Sequence, residues 1–159
     1  MKSMQDWFDA YGESHQNPTN KLVHWICVPT IFFTIIGLLS RVPLWGDPIF
    51  PSGWIPYLHL GTILLLFGLV FYFRKSLVMG IGMLIVSAVI LYGVKLVNLT
   101  YPEQALWVYL VLFIMAWVGQ FIGHKIEGAK PSFFDDLKFL LIGPGWLLSF
   151  IFQKVGIKY

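Results

Sequence analysis

Apolar residues gather along this chain into four long runs, 25–40, 55–73, 77–97 and 105–123, separated by basic residues, short polar connectors or clusters of proline and glycine. Crossing roughly 30 Å of hydrocarbon takes about 20 apolar residues in a helix. The runs therefore predict four membrane-spanning helices, the first near the lower limit of length and continued outside the hydrocarbon by the residues before Trp25. Two shorter stretches differ. In residues 4–11, Met4, Trp7, Phe8 and Tyr11 recur at helical spacing with Gln5, Asp6 and Asp9 between them, which predicts an amphipathic helix lying at the interface. The last run, 137–152, is short and interrupted by Gly143, Pro144 and Gly145. It reads as re-entrant or interfacial as readily as spanning, and is not expected to form one straight helix across the bilayer. The expected fold is all-α: one membrane domain over residues 1–159, with four spanning helices, an N-terminal amphipathic helix and a broken C-terminal apolar segment.

Punctuation residues sharpen these limits. Asn17 followed by Pro18 is a helix start, with Asn as the cap and Pro as the first helical residue, so the first long helix begins before its apolar run. Pro29 removes one backbone donor inside that helix and is expected to bend it. Residues 41–56 hold Pro43, Gly46, Pro48, Pro51 and Gly53 and predict a rigid loop carrying Trp45 and Trp54 at headgroup level. Gly80, Gly82, Ser87, Ala88 and Gly93 give the third run a surface that lets helices approach closely.

Composition confirms the class and narrows the chemistry. With 57% hydrophobic and 12% charged residues and a mean hydropathy of +0.73, the 159-residue chain is too apolar for a soluble domain of its size. A net charge of +3, scattered near helix ends, argues topology and not nucleic-acid binding. Cys27 is the single cysteine, so no disulfide framework or cysteine-held cluster is expected, and the residue reads as small packing. The N-terminus lacks a cleavable signal pattern, which leaves the first span as an uncleaved anchor.

Charge also orients the helices. With the N-terminus in the cytoplasm, Lys2, Lys21, Arg74, Lys75, Lys125 and Lys130 fall inside while Arg41 and Lys95 fall outside. That threading brings His15 and His24, before the first span, to the same face as His124, at the end of the fourth. His59 falls at the opposite face.

The convergence is the chain's strongest chemical signal. Asn20 and His24 share a helical face, as do His124 and Glu127, with Gln120 one turn before His124. Neutral imidazoles with a carboxylate suit iron, zinc or manganese. Taken singly, a histidine at a helix end is an interfacial or capping residue, Glu127 between Lys125 and Lys130 is a solvated charge, Asn17 is a cap, and Tyr11, Trp25 and Trp117 are anchors or packing. Two other classes use the same residues: a haem protein with His24 and His124 as axial ligands, or a lipid-binding or transport module without metal, which would place ionisable groups in mid-membrane.

Two motifs, from Tyr11 to Thr30 (Y-G-x-x-H-x-N-P-x-N-x-x-x-H, then V-P-T) and from Gln120 to Pro131 (Q-F-I-G-H-x-x-E-x-x-x-P), together resemble a family of small endoplasmic-reticulum and bacterial membrane dioxygenases acting on 2-hydroxy fatty acids. The stretch 131–137 and the Gly143-Pro144 region extend the likeness, while the middle spans depart from it. The resemblance implies an Fe2+-dependent α-oxidation in which O2 is consumed and a 2-hydroxy fatty acid loses its carboxyl carbon. Carried onto this chain, it implies His15, His24 and His124 as catalytic iron ligands and Glu127 as a further ligand or a partner behind them; the shared helix faces themselves make Asn20 and Gln120 supporting or substrate-binding residues. It also implies an integral protein of a bacterial inner membrane or the endoplasmic reticulum.

Overall fold

A computed structural model of the chain describes residues 3–42, 44, 55–128 and 139–159. Among these residues there are six α-helices and no strand: α1 Met4–Gly12, α2 Pro18–Leu39, α3 Leu60–Lys75, α4 Leu77–Thr100, α5 Ala105–Glu127 and α6 Ile142–Lys154, with a short 3-10 turn at Ile55–Tyr57. Most of the predicted loop, with Trp45 and Trp54, and the stretch 131–137 with Lys130 lie outside the described residues.

The helix starts follow local chemistry. The Ser3 side chain caps α1, accepting from the Asp6 amide at 3.1 Å while the Ser3 amide donates to Asp6 Oδ2 at 2.6 Å. Asn17 caps α2 as expected, its Oδ1 accepting from the amides of Thr19 at 2.8 Å and Asn20 at 3.4 Å, with Pro18 in the first turn. Such a cap contributes about 1 kcal/mol. At the far end of α5, Gly128 turns the chain at φ 79, a left-handed conformation in which glycine carries no Cβ penalty.

Polar ties at the two ends of the bundle show how the helices run. At one end, Asn98 Nδ2 donates to Ser40 Oγ at 2.9 Å, the Tyr109 hydroxyl reaches the Val94 carbonyl at 3.2 Å, and Arg41 reaches the Pro102 carbonyl at 3.3 Å. These bonds join the end of α2, the end of α4 and the start of α5. At the other end, amides at the start of α2 meet Glu127 at the end of α5. Hence α2 and α4 run one way and α5 returns. The third helix returns too: it begins beside the Ile36 carbonyl, near the end of α2, and its Tyr72 hydroxyl donates to the Leu141 carbonyl at the other end.

Closest approach is between α2 and α5, and small residues allow it. A Cβ on Gly119 would stand 2.6 Å from Cys27 Sγ, and one on Gly123 would stand 2.4 Å from Asn20 Oδ1. These two glycines, four apart, form the small-xxx-small face that lets helices touch where lipid supplies no hydrophobic drive.

Several expectations change. Three helices among the described residues, α2, α4 and α5, are long and apolar enough to cross a membrane, where four were expected. The helix α3 begins at Leu60 and not at residue 55, and its 16 residues span only about 24 Å at 1.5 Å per residue. The helix α4 runs to Thr100, shortening the predicted connector, and α5 continues past Gly123 to Glu127. The Gly143-Pro144-Gly145 sequence does not interrupt a helix. It occupies the first turn of α6, where proline costs no internal hydrogen bond. No straight helix spans the last apolar run, since Phe139 to Leu141 form a turn and α6 has 13 residues. Nor is α1 only an interfacial helix: Met4, Phe8 and Tyr11, one face at i, i+4 and i+7, are buried in a core with Val28, Tyr72, Ile142 and Trp146.

Candidate metal centre

The turn between α1 and α2 brings His15 back over the start of α2. Its amide bonds to the Gly12 carbonyl at 3.0 Å, and its ring stacks on Tyr11, with centroids 4.3 Å apart. His24 sits two turns into α2, and His124 lies near the end of α5. The three rings meet with centroids 4.1, 5.1 and 5.3 Å apart. One ligand nitrogen from each lies within 4.8 Å of the others, and the residues are 1%, 0% and 4% exposed. The convergence read from topology is therefore present in the fold.

Hydrogen bonding settles the protons on two of the rings. His15 Nδ1 lies 2.6 Å from the Tyr11 carbonyl and His24 Nδ1 lies 2.9 Å from the Asn20 carbonyl. A carbonyl only accepts, so each Nδ1 carries the hydrogen. In the neutral ring each Nε2 then presents a lone pair, and these two atoms face one another at 2.8 Å. Two buried lone pairs at that separation repel unless a cation lies between or beside them. A shared proton would bury an imidazolium charge, whereas a metal ion is what neutral imidazoles with their other nitrogen tied to a carbonyl are arranged to hold. The donor set fits a first-row metal held by three histidines with positions left open.

Glu127 stands behind this group. Its Oε1 accepts from the amides of Gln16 at 2.7 Å and Asn17 at 3.1 Å, and its Oε2 accepts from the Asn17 amide at 2.9 Å and Asn20 Nδ2 at 3.0 Å. The carboxylate thus takes amide hydrogens exposed at the start of α2 and clamps the segment carrying His15 to the helix carrying His124. It is not among the three residues whose ligand atoms converge. Asn20 is fully buried and links three parts of the site: its carbonyl orients His24, its Nδ2 donates to Glu127, and its Oδ1 lies against Gly123.

Gln120 is buried one turn from His124. His59 lies at the other end of the bundle, its ring near Gly61 and the Ile36 carbonyl, twelve residues or about 18 Å along α2 from His24. Sequence reasoning did not place Tyr11 or Trp146 at the site, yet Tyr11 supplies both the carbonyl and the ring against His15, and the Trp146 ring lies 5.3 Å from it. The Y-G-x-x-H spacing, which puts Tyr11 one turn before His15, was the available signal. On the polar side, an opening of about 290 Å3 lined by Asp9, Glu13, His15, Lys21, Trp146 and Ser149 reaches the group. An apolar groove of about 490 Å3 runs between α2, α4 and α6, lined by Trp25, Phe33, Val89 and Leu147 among others and by none of the three histidines.

Among proteins of known activity, the chain is 28% identical over 148 residues to the 2-hydroxy-palmitic acid dioxygenase MPO1 of Saccharomyces cerevisiae, covering 92% of this chain and 78% of the yeast protein. No solved structure matches it. A family model described as Mpo1-like, 2-hydroxy-palmitic acid dioxygenase, matches residues 1–155, and with that match across nearly its whole length the chain belongs to the Mpo1-like family.

Proposed function

We propose that this protein is a membrane dioxygenase that shortens 2-hydroxy fatty acids by one carbon at a non-haem Fe2+ held by His15, His24 and His124. The observation that carries this reading is the pair of buried imidazoles whose Nδ1 atoms lie against carbonyls and whose Nε2 atoms are 2.8 Å apart, in a chain of this family. Bound iron would supply the redox chemistry with O2. The overall change balances without another reductant: a 2-hydroxy acid and O2 give the acid one carbon shorter, carbon dioxide and water.

The chain's own residues do the rest. Tyr11 and Asn20 hold the two imidazoles in one tautomer through their carbonyls, and Glu127 keeps the loop and α5 in register. The polar opening, lined by Lys21 with Asp9 and Glu13, gives a polar head group access to His15, and the groove between α2, α4 and α6 offers apolar surface to an acyl chain. A haem between His24 and His124 is disfavoured, because rings with centroids 5.1 Å apart leave no slot for a macrocycle. Purified protein is expected to contain iron, to lack the strong visible band of haem, and to take up O2 as 2-hydroxypalmitic acid is converted to the C15 acid. Protein that binds iron but consumes no O2 with 2-hydroxy acids would overturn the activity, and a haem spectrum would overturn the centre.

The positive-inside pattern supports a cytoplasmic N-terminus, with the three histidines at the cytoplasmic face of an inner membrane or endoplasmic reticulum. Cysteines placed at Glu13 and Gly128 are expected to react with a membrane-impermeant reagent from that side only. Labelling from the opposite side would reverse the orientation.

A further inference from the structure

Just beneath the three histidines, on the hydrocarbon side, lies a small cavity. Its walls include Val28, one turn beyond His24 on α2, and Gln120, one turn before His124 on α5, with Tyr11, Ile31, Trp117 and Leu140 around them. The space is about 20 Å3, room for one water-sized group. Apart from Gln120, and from Tyr11 and Trp117, which carry a hydroxyl and an indole N–H, the walls are apolar. Gln120 is 4% exposed, and its Oε1 accepts no hydrogen bond from the described residues. A buried amide oxygen without a donor destabilises the fold; Asn20 Oδ1 shares that state but is packed against Gly123, whereas Gln120 lines a space that can admit a donor from outside the protein.

Building on the proposed function, we infer that Gln120 is a positioning residue that recognises the 2-hydroxyl of the substrate, its Oε1 accepting the hydroxyl hydrogen in this cavity. The chemistry selects that group from the head of the molecule. A carboxylate has only acceptor oxygens and would be repelled by Oε1, whereas the hydroxyl is the acid's only donor and is small enough for the space. An acid without the hydroxyl would press a methylene against the amide oxygen and leave it buried without a partner. Sites built to bond a hydroxyl reject the analogue that lacks it far more strongly than apolar sites separate sizes. Gln120 would thus set preference for 2-hydroxy acids over plain fatty acids, apart from holding metal.

The test is anaerobic binding to the purified full-length protein, where no turnover occurs, with 2-hydroxypalmitic and palmitic acids as probes and tryptophan fluorescence as readout. Wild type is expected to prefer the 2-hydroxy acid. Gln120→Met, close in shape but without the amide oxygen, is expected to cut that preference about 10-fold with metal content unchanged. Gln120→Glu, which keeps an acceptor oxygen, is expected to restore part of it. Gln120→Leu supplies the same comparison if the Met variant loses its fold. Unchanged preference in a metal-replete Met or Leu variant, or equal weakening of both acids as expected when the cavity only holds a structural water, overturns the assignment. If wild-type protein with iron discriminates neither acid, the proposed substrate class fails first, whereas intact discrimination in Gln120→Met beside lost metal in His24→Ala would remove Gln120 alone.

Discussion

His24→Ala is expected to strip the protein of bound metal and to lower O2-dependent turnover of a 2-hydroxy fatty acid by more than about 100-fold, beyond the roughly 10- to 100-fold typical of residues behind a metal ligand. The same result is expected for His15→Ala and His124→Ala, because each removes one of three nitrogens that lie within 4.8 Å of one another. The losses should not add. Once one imidazole is gone, the remaining two present a weaker site, so a double variant falls little below either single one. His59→Ala, at the far end of the bundle, is expected to leave metal and turnover near wild type. Metal content by emission spectrometry, alongside O2 uptake, reads all four. A folded His24→Ala protein with full metal and activity would sink the three-histidine centre, and a His59→Ala protein as damaged as His24→Ala would sink its location.

Glu127→Ala is expected to reduce turnover by roughly 10- to 100-fold, the range for a partner that orients ligands from behind. Its removal strands the Gln16 and Asn17 amides and Asn20 Nδ2, each stranded group costing about 1–3 kcal/mol where it remains shielded from water. The clamp between the His15 segment and α5 opens, so metal affinity should weaken without vanishing. Glu127→Gln retains one carbonyl oxygen for the amides and should fall between wild type and alanine. Titration of metal-depleted protein with Fe2+ gives the comparison. Metal loss in Glu127→Ala as complete as in His24→Ala would make the carboxylate a direct ligand.

Much of this was legible from sequence, for identifiable reasons. Asn17-Pro18 announces its helix because both residues act within one turn. Four apolar runs announced helices, three of them of spanning length in the fold, and the even number of passes put His15, His24 and His124 together and left His59 at the other end, since counting passes needs no side-chain detail. What escaped depends on packing. Glu127 reads as a ligand or a partner behind the histidines, but its place between two lysines does not show that it takes the Gln16 and Asn17 amides. The amphipathic face of α1 looks the same whether it rests on lipid headgroups or on α6. Gly119 and Gly123 carry meaning only once Cys27 and Asn20 are seen against them. Gly143-Pro144-Gly145 resembles a break because proline interrupts a helix anywhere but in its first turn, and the turn in question was not evident from the apolar run alone.

The division of the centre between α2 and α5 imposes a timetable on biosynthesis. His24 is made a hundred residues before His124, so at about 5–20 residues per second the ribosome runs for roughly 5–20 s between them. Through that interval the nascent chain has two of the three converging imidazoles and lacks His124, while α3 and α4 are still being inserted. On the proposed function, metal capture belongs to the end of synthesis, after α5 has folded back along α2 and Glu127 has closed over the first turn. A ribosome stalled within α4 would hold a chain with both early histidines in place and no means of retaining its metal.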